Sequence, residues 1–170
     1  MERTYFIYRT PMGRVAIESD GAAITHFAFG PVQLAGRQHA TALTNRASSE
    51  VLEYLAGKRI AFEVPVRAEG SAFQREVWAK ISEIPYGETR TYAEIAESLG
   101  KPGALQAVGQ ACGRNPIPLF VPCHRVVGSN GKLGGYAFGP TVKKFLLDLE
   151  DLQTSQTAQL QLDDSIGLRV

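Results

Sequence analysis

The spacing of apolar and polar positions changes character near Gly70. Before that point, Thr4 to Arg9, Arg14 to Ser19 and Ala23 to Phe29 are short runs rich in aromatic and β-branched residues, separated by Pro11, Gly13 and Gly21. Runs of this length broken by turn formers predict an antiparallel hairpin or three-stranded meander. Residues 31 to 46 are polar and irregular and predict a loop. Val51, Leu52 and Leu55 mark one face of a helix that Gly57 ends, and Ile60 to Val66 predicts a further strand.

After Gly70 the helical period takes over. Ser71 and Gln74 form a capping-box pattern ahead of Phe73, Val77, Trp78, Ile81 and Ile84, an apolar stripe closed by Pro85 and Gly87. Thr91 and Glu94 repeat the pattern at the head of a short helix through Leu99. Gly100 supplies a left-handed exit, and Pro102 suits the first turn of a third helix, running to Cys112 and ended by Gly113. Two short helices about Gly100-Lys101-Pro102 read as a helix-turn-helix. The second is built of small residues: Gly103, Ala104, Ala107, Gly109 and Ala111. Such a helix can lie close against an outside groove or against a neighbouring helix, and spacing alone does not choose. Thr141 to Glu150 predicts a last helix, with Val142, Phe145, Leu146 and Leu149 on one face. The expected fold class is therefore α+β. An N-terminal antiparallel β-sheet with a helix (1–70) precedes a mainly helical C-terminal domain containing the helix-turn-helix (71–150). A polar, Gln-rich, flexible tail (151–170) follows.

The net charge of +1 says little about partners, but its distribution says more. Residues 98 to 147 hold no Asp or Glu, where simple proportion predicts about five, yet they carry Lys101, Arg114, Arg125, Lys132, Lys143 and Lys144. A mildly basic stretch suits contact with phosphate and equally suits a solvated basic face. Cys112 and Cys123 match no zinc spacing and are too few for a secreted disulfide framework. His26 and His39 are scattered, so no metal is expected. Met1 to Thr10 contains no apolar run, and no stretch approaches the ~20 apolar residues that span a bilayer. A cytoplasmic protein without membrane contact is the expectation.

Between Asn115 and Cys123 stand Pro116, Pro118 and Pro122, which fix φ repeatedly and hold Cys123-His124-Arg125 in a set position. Cationic neighbours lower a thiol's pKa, which makes Cys123 a candidate nucleophile; a buried structural cysteine is the other reading. Adjacent residues of an extended segment point to opposite faces, so a proton passing between Cys123 and His124 would travel through a water. That counts against a protease-type dyad, which also wants a third group to orient its histidine.

Pro122-Cys123-His124-Arg125-Val126 resembles the signature of the O6-alkylguanine-DNA alkyltransferases, or methylated-DNA–protein-cysteine methyltransferases. Phe73-Gln74-Arg75-Glu76-Val77-Trp78, Ile84-Pro85-Tyr86-Gly87, Thr91-Tyr92, Ala107-Val108-Gly109, Asn115-Pro116 and Gly135-Tyr136 follow the family's order and spacing, over residues 71 to 150. The resemblance implies direct-reversal DNA repair: one irreversible transfer of an alkyl group from O6 of guanine, with O4 of thymine a second candidate, to Cys123, with no cofactor. His124 would take the thiol proton through a water, Glu150 would hold the imidazole, Asn115 would stabilise the turn, and Tyr92 would sit near the base or its backbone and donate a hydrogen bond as the guanine leaves. Val126, Tyr136, Ala137, Phe138 and Cys112 would surround the extruded base.

The implied partner is double-stranded DNA containing alkylated guanine, bound by a monomer through the minor groove. Lys101, Ala104, Gln106, Ala107, Gly109, Arg114, Arg125 and Ser129 would face it. Two positions depart from the family pattern. Gln106 stands where an arginine is usual, which predicts weaker capture of duplex. Phe138 stands where many members have a small residue, which predicts a narrowed pocket. Three alternatives remain: a lesion-binding protein without repair activity, which would lack the acceptor cysteine; a DNA-binding regulator, which would not need Cys123, His124 and Glu150; and a cysteine hydrolase, which would turn over.

Overall fold

A computed structural model describes residues 2–165. Three strands form the expected meander: β1 (Thr4–Thr10), β2 (Gly13–Ser19) and β3 (Ile24–Phe29), paired antiparallel. A two-residue strand, β4 (Arg37–Gln38), adds to the β1 edge in parallel, so the sheet is mixed, with order β3-β2-β1-β4. Alternation places Val15 and Ile17 of β2 in a core against α1 (Ala42–Leu55). That helix starts earlier than the polar composition of residues 31 to 46 suggested. Thr41 and Thr44 close a reciprocal capping box at its head, which compensates for the lack of an apolar signal there. Its inward face is Ala47, Val51, Tyr54 and Leu55, while Leu52 turns outward. The predicted strand over residues 60 to 66 does not form. That segment follows the sheet edge with one bridge, Ile24 to Val66, and is pinned by Glu63 N and Val64 N donating to the buried carboxylate of Glu50.

The second core gathers α2 (Ala72–Ser82), α3 (Tyr92–Ser98) and α4 (Leu105–Gly113) around Val77, Trp78, Ile81, Ile95 and Val108. Ser71 and Gln74 cap α2 reciprocally, as their spacing predicted. Thr91 caps α3 by accepting from Glu94 N. The turn between α3 and α4 is longer than three residues. Gly100 takes φ +70° as expected, but Pro102 precedes the helix, which opens at Leu105. A short parallel pair, β5 (Arg90–Thr91) with β6 (Val126–Val127), ties the head of α3 to the chain beyond Cys123.

The last helix, α5 (Pro140–Ser165), runs well past Glu150, so most of the residues expected as a flexible tail are helical. Gln153 and Thr154 lie so close over Gly57 and Gly87 that a Cβ at either glycine would strike them. Gln, Leu and Ala keep good helix propensity without an apolar stripe, which is why polarity misled there. Residues 166–170 of the expected tail lie outside the described residues. No helix among the described residues is long and apolar enough to cross a membrane.

Candidate active site

The segment carrying Cys123 is fixed from both sides. Trp78 of α2 donates Nε1–H to Ala111 O at 2.9 Å and so anchors α4. At the end of α4, Asn115 accepts from Ile117 N on Oδ1 at 2.9 Å and donates from Nδ2 to Val121 O at 2.9 Å. One side chain thereby closes the proline-rich loop. Val121 N also bonds Ile117 O, and Leu119 is held at φ +78°, an unusual conformation for a residue with a Cβ. Phe27 N donates to Pro116 O at 2.9 Å, joining this loop to β3. The chain then enters a single 3-10 turn, Cys123–Arg125, closed by Arg125 N bonding Pro122 O, instead of the extended segment expected.

Cys123 is 6% exposed, and its Sγ accepts from Asn115 Nδ2 at 3.2 Å. Burial pushes the thiol's pKa up; the Asn115 N–H and the Lys143 charge offset only part of that. The expectation that His124 and Arg125 lower it is therefore corrected. Arg125 turns away from the thiol: Nε and Nη2 donate to Glu150 at 2.8 and 3.0 Å, and Nη1 donates to Ile84 O at 2.8 Å. Its guanidinium also lies 5.6 Å from the centre of the Tyr86 ring. Arg125 is 8% exposed and spends three of its five N–H donors within the chain; its expected place at DNA remains an expectation.

His124 is fully buried, with Nε2 2.7 Å from Glu150 Oε2. Burial would raise the Glu150 pKa, but the hydrogen bonds from His124 and Arg125, with their charges, bring it down to about 2. An ionised carboxylate can only accept, so the ring proton sits on Nε2 and Nδ1 carries the lone pair. Nδ1 is buried and has no partner in the protein. Burial lowers the imidazole's own pKa against the pull of Glu150, and the Arg125 and Lys143 cations add to the lowering. The result is a neutral imidazole with one unused acceptor, next in sequence to a protonated thiol.

Sequence reasoning missed two buried members of this cluster. Tyr54, from α1, donates its hydroxyl to Glu150 Oε2 at 2.5 Å and lies 3.4 Å from His124 Nε2. Lys143 is 0% exposed, and its Nζ donates to Val126 O at 2.6 Å and Gly135 O at 3.0 Å. Lys143, Leu146 and Glu150 share the buried face of α5, whereas Phe145, expected on it, is 43% exposed. Two charged residues at helical spacing around a leucine were the available signal, and apolar patterning alone passes over it.

A cavity of about 270 Å³ opens onto the thiol, walled by Tyr92, Cys112, Cys123, Tyr136 and Ala137, with Gly109, Gly113 and Gly135 between them. A Cβ at any of these glycines would meet nothing within 4 Å. The Tyr92 hydroxyl donates to Gly135 O at a long 3.4 Å, and the buried Tyr136 hydroxyl has no partner in the protein. Burial, reinforced by the Cys123 charge, pushes the Cys112 thiol up to about 12, so it stays protonated. Of the other residues expected around the cavity, Val126 belongs to the second core with Cys123, and the Phe138 ring stands 5.9 Å from that of Tyr136 and 5.2 Å from that of Phe29. Lys101, Gln106, Ala107, Arg114 and Ser129 are exposed, while Ala104 and Gly109 are half-buried. No three His, Cys, Asp or Glu side chains cluster to hold a metal ion among the described residues.

The Cys123 thiol facing a cavity, next in sequence to a neutral imidazole clamped to a carboxylate, defines a site in which the protein's own sulfur receives a group. Residues 72–152 match the family described as 6-O-methylguanine DNA methyltransferase, DNA binding domain. A methylated-DNA–protein-cysteine methyltransferase of Methanosarcina acetivorans is 42% identical over 155 residues, covering 86% of this chain and 97% of the relative. The constitutive enzyme of that name from Bacillus subtilis is 50% identical over 105 residues, covering 61% of this chain and 64% of the relative. The crystal structure of Mycobacterium tuberculosis OGT in complex with DNA superposes with a TM-score of 0.83 at 38% identity, covering 88% of this chain and 94% of that one. The chain belongs to the methylated-DNA–protein-cysteine methyltransferase family.

Proposed function

We propose that this protein repairs DNA by direct reversal, moving an alkyl group from O6 of guanine to Sγ of Cys123 once per molecule. The observation that carries this reading is the pairing of an enclosed, protonated thiol with a buried neutral imidazole whose Nδ1 is unused. In the reaction a water bridging Sγ–H and Nδ1 passes the thiol proton to His124, and Glu150 stabilises the imidazolium through Nε2–H. The thiolate attacks the alkyl carbon, a C–S bond forms, and the C–O6 bond breaks with its electron pair on the base. A proton donated by the Tyr92 hydroxyl at the cavity mouth lets guanine leave neutral. The product thioether cannot be displaced again by water, so the protein is consumed.

The lesion comes in duplex DNA, extruded into the cavity because its reacting carbon is out of reach inside the stack. The relative solved in complex with DNA supports such a partner. The outer side of α4 enters the minor groove: Gln106, Ala107 and Gln110 are exposed along it, which favours an outside surface over a neighbouring helix. Lys101 and Arg114 flank that side as phosphate contacts, with Ser129 beside the site. The protein acts as a monomer in this reading. Its substrate puts it with the cell's DNA: a cytoplasmic protein, at the nucleoid if the cell is prokaryotic. A protein that only sensed lesions would not need an acceptor thiol at the cavity's end. Single-turnover transfer from duplex bearing a labelled O6-methyl group is the test: transfer that stops at one equivalent per protein supports the reading, and no transfer or repeated turnover contradicts it.

A further inference from the structure

We propose that Tyr54, carried in from the N-terminal sheet layer by α1, is a positioning residue that sets the proton affinity of His124 by competing for Glu150. The inference rests on the reading of Cys123 as acceptor and His124 as its base, and adds a component from outside the matched segment, residues 72–152.

The argument starts from lone pairs. The Glu150 carboxylate takes five donors: Gly87 N at 3.1 Å and Arg125 Nε at 2.8 Å on Oε1, then Tyr54 hydroxyl at 2.5 Å, His124 Nε2 at 2.7 Å and Arg125 Nη2 at 3.0 Å on Oε2. A carboxylate offers about four acceptor sites over its two oxygens, so Oε2 is oversubscribed and its donors compete. Tyr54 holds the shortest of these bonds and is fully buried, with its ring 5.5 Å from Phe62 and 6.1 Å from Tyr86. Burial and the adjacent Glu150 charge hold the phenol protonated at all working pH, so it is a permanent donor.

The charged and titratable groups around His124 are Glu150 and Lys143 from α5, Arg125 and Cys123 from its own turn, and Tyr54 from α1, with Tyr86 beyond Arg125. Of these, only Tyr54 is a neutral donor to the same carboxylate oxygen that the imidazole uses. Removing its hydroxyl leaves Glu150 more charge to share with His124, which favours the imidazolium. The tyrosine oxygen also lies 3.4 Å from Nε2, and losing that dipole works the other way. The 2.5 Å bond to a full charge outweighs the long neutral contact, so the net effect of removal is a His124 that protonates at higher pH.

The consequence appears in the acid limb of alkyl transfer, because an already protonated His124 cannot take the thiol proton. The experiment compares rate–pH profiles of full-length parent, Tyr54→Phe, and protein carrying 3-fluorotyrosine at position 54, with O6-benzylguanine as probe. The His124 Nε2–H resonance is followed by NMR in each. Tyr54→Phe should move the acid limb up by about half a pH unit or more and the ring proton downfield. Fluorotyrosine, a stronger donor of nearly the same volume, should move both the opposite way. Superimposable profiles and an unmoved ring proton, whatever happens to the melting temperature, would show Tyr54 to be packing only and overturn the proposal. A parent that never acquires a benzyl group would instead overturn the reading of Cys123, while the ring proton still reports on Tyr54.

Discussion

Asn115 donates from one Nδ2 to both Val121 O and the Cys123 sulfur, so the amide that shapes the loop also touches the reacting atom. A hydrogen bond to a charged group contributes ~1.5–3 kcal/mol, and the thiolate is the charged form. Asn115→Ala should therefore slow alkyl transfer to Cys123 by roughly tenfold to a hundredfold, measured as a single-turnover rate; an unchanged rate would remove Asn115 from the site. Gln106 is exposed on α4 and lacks the charge and planar fork of an arginine. Gln106→Arg is expected to raise the rate on methylated duplex while leaving the rate on free benzylguanine alone. No gain on duplex would mean that the glutamine costs nothing. At this scale Cys123 and His124 stand in one short motif and Asn115 in another, while Glu150 was named only through the resemblance. Arg125 was misread because charge was counted without asking what it pairs with, and Tyr54 was missed because its partner is far away in the chain.

The helices were easier to read than the loops that join them. Capping pairs at Ser71–Gln74 and Thr91–Glu94 are local chemistry, and both helices start where those pairs stand. Residues 60 to 66 have a strand's composition but hang on the Glu50 carboxylate and a single bridge, a tertiary arrangement that no local pattern announces. On α4 the small residues left two readings open, and the exposure of Gln106 and Gln110 favours the outward one. Ala107 is exposed on the same helix. Replacing it by glutamine, another good helix former, should leave the melting temperature within about one degree or two of the parent's. It should nonetheless weaken duplex binding in a fluorescence titration. A stability loss without a binding loss would show that α4 packs inward at that position.

Across the whole molecule α5 is the element that joins everything. Leu146 enters the first core, Lys143 holds the backbone behind the thiol, Glu150 anchors the imidazole and Arg125, and Thr154 covers Gly87, whose N–H also bonds Glu150. The relay therefore assembles only when the sheet layer and the helical layer are both in place. Its charges make folding depend on pH in a definite direction. Glu150 titrates near 2 when folded and near the ordinary glutamate value of about 4.3 when unfolded. The stability it contributes is complete above the unfolded value and is lost as pH falls towards 2. His124, whose folded pKa lies below the unfolded value of about 6.5, acts in the same direction: stability drops as pH falls beneath that value. Melting curves should fall steadily from neutral to pH 3. Glu150→Gln should be less stable throughout, because Arg125 stays buried without its counter-charge, and its acid decline should be shallower. An equally steep decline would place the acid sensitivity elsewhere.

The central claim is that Cys123 itself receives the alkyl group, and intact-protein mass with peptide mapping tests it most directly. Protein incubated with duplex carrying O6-methylguanine should gain one methyl group on the peptide containing Cys123, and Cys123→Ala should gain none. An unchanged mass in the presence of bound lesion DNA, or a methyl group found on Cys112 instead, would contradict the account.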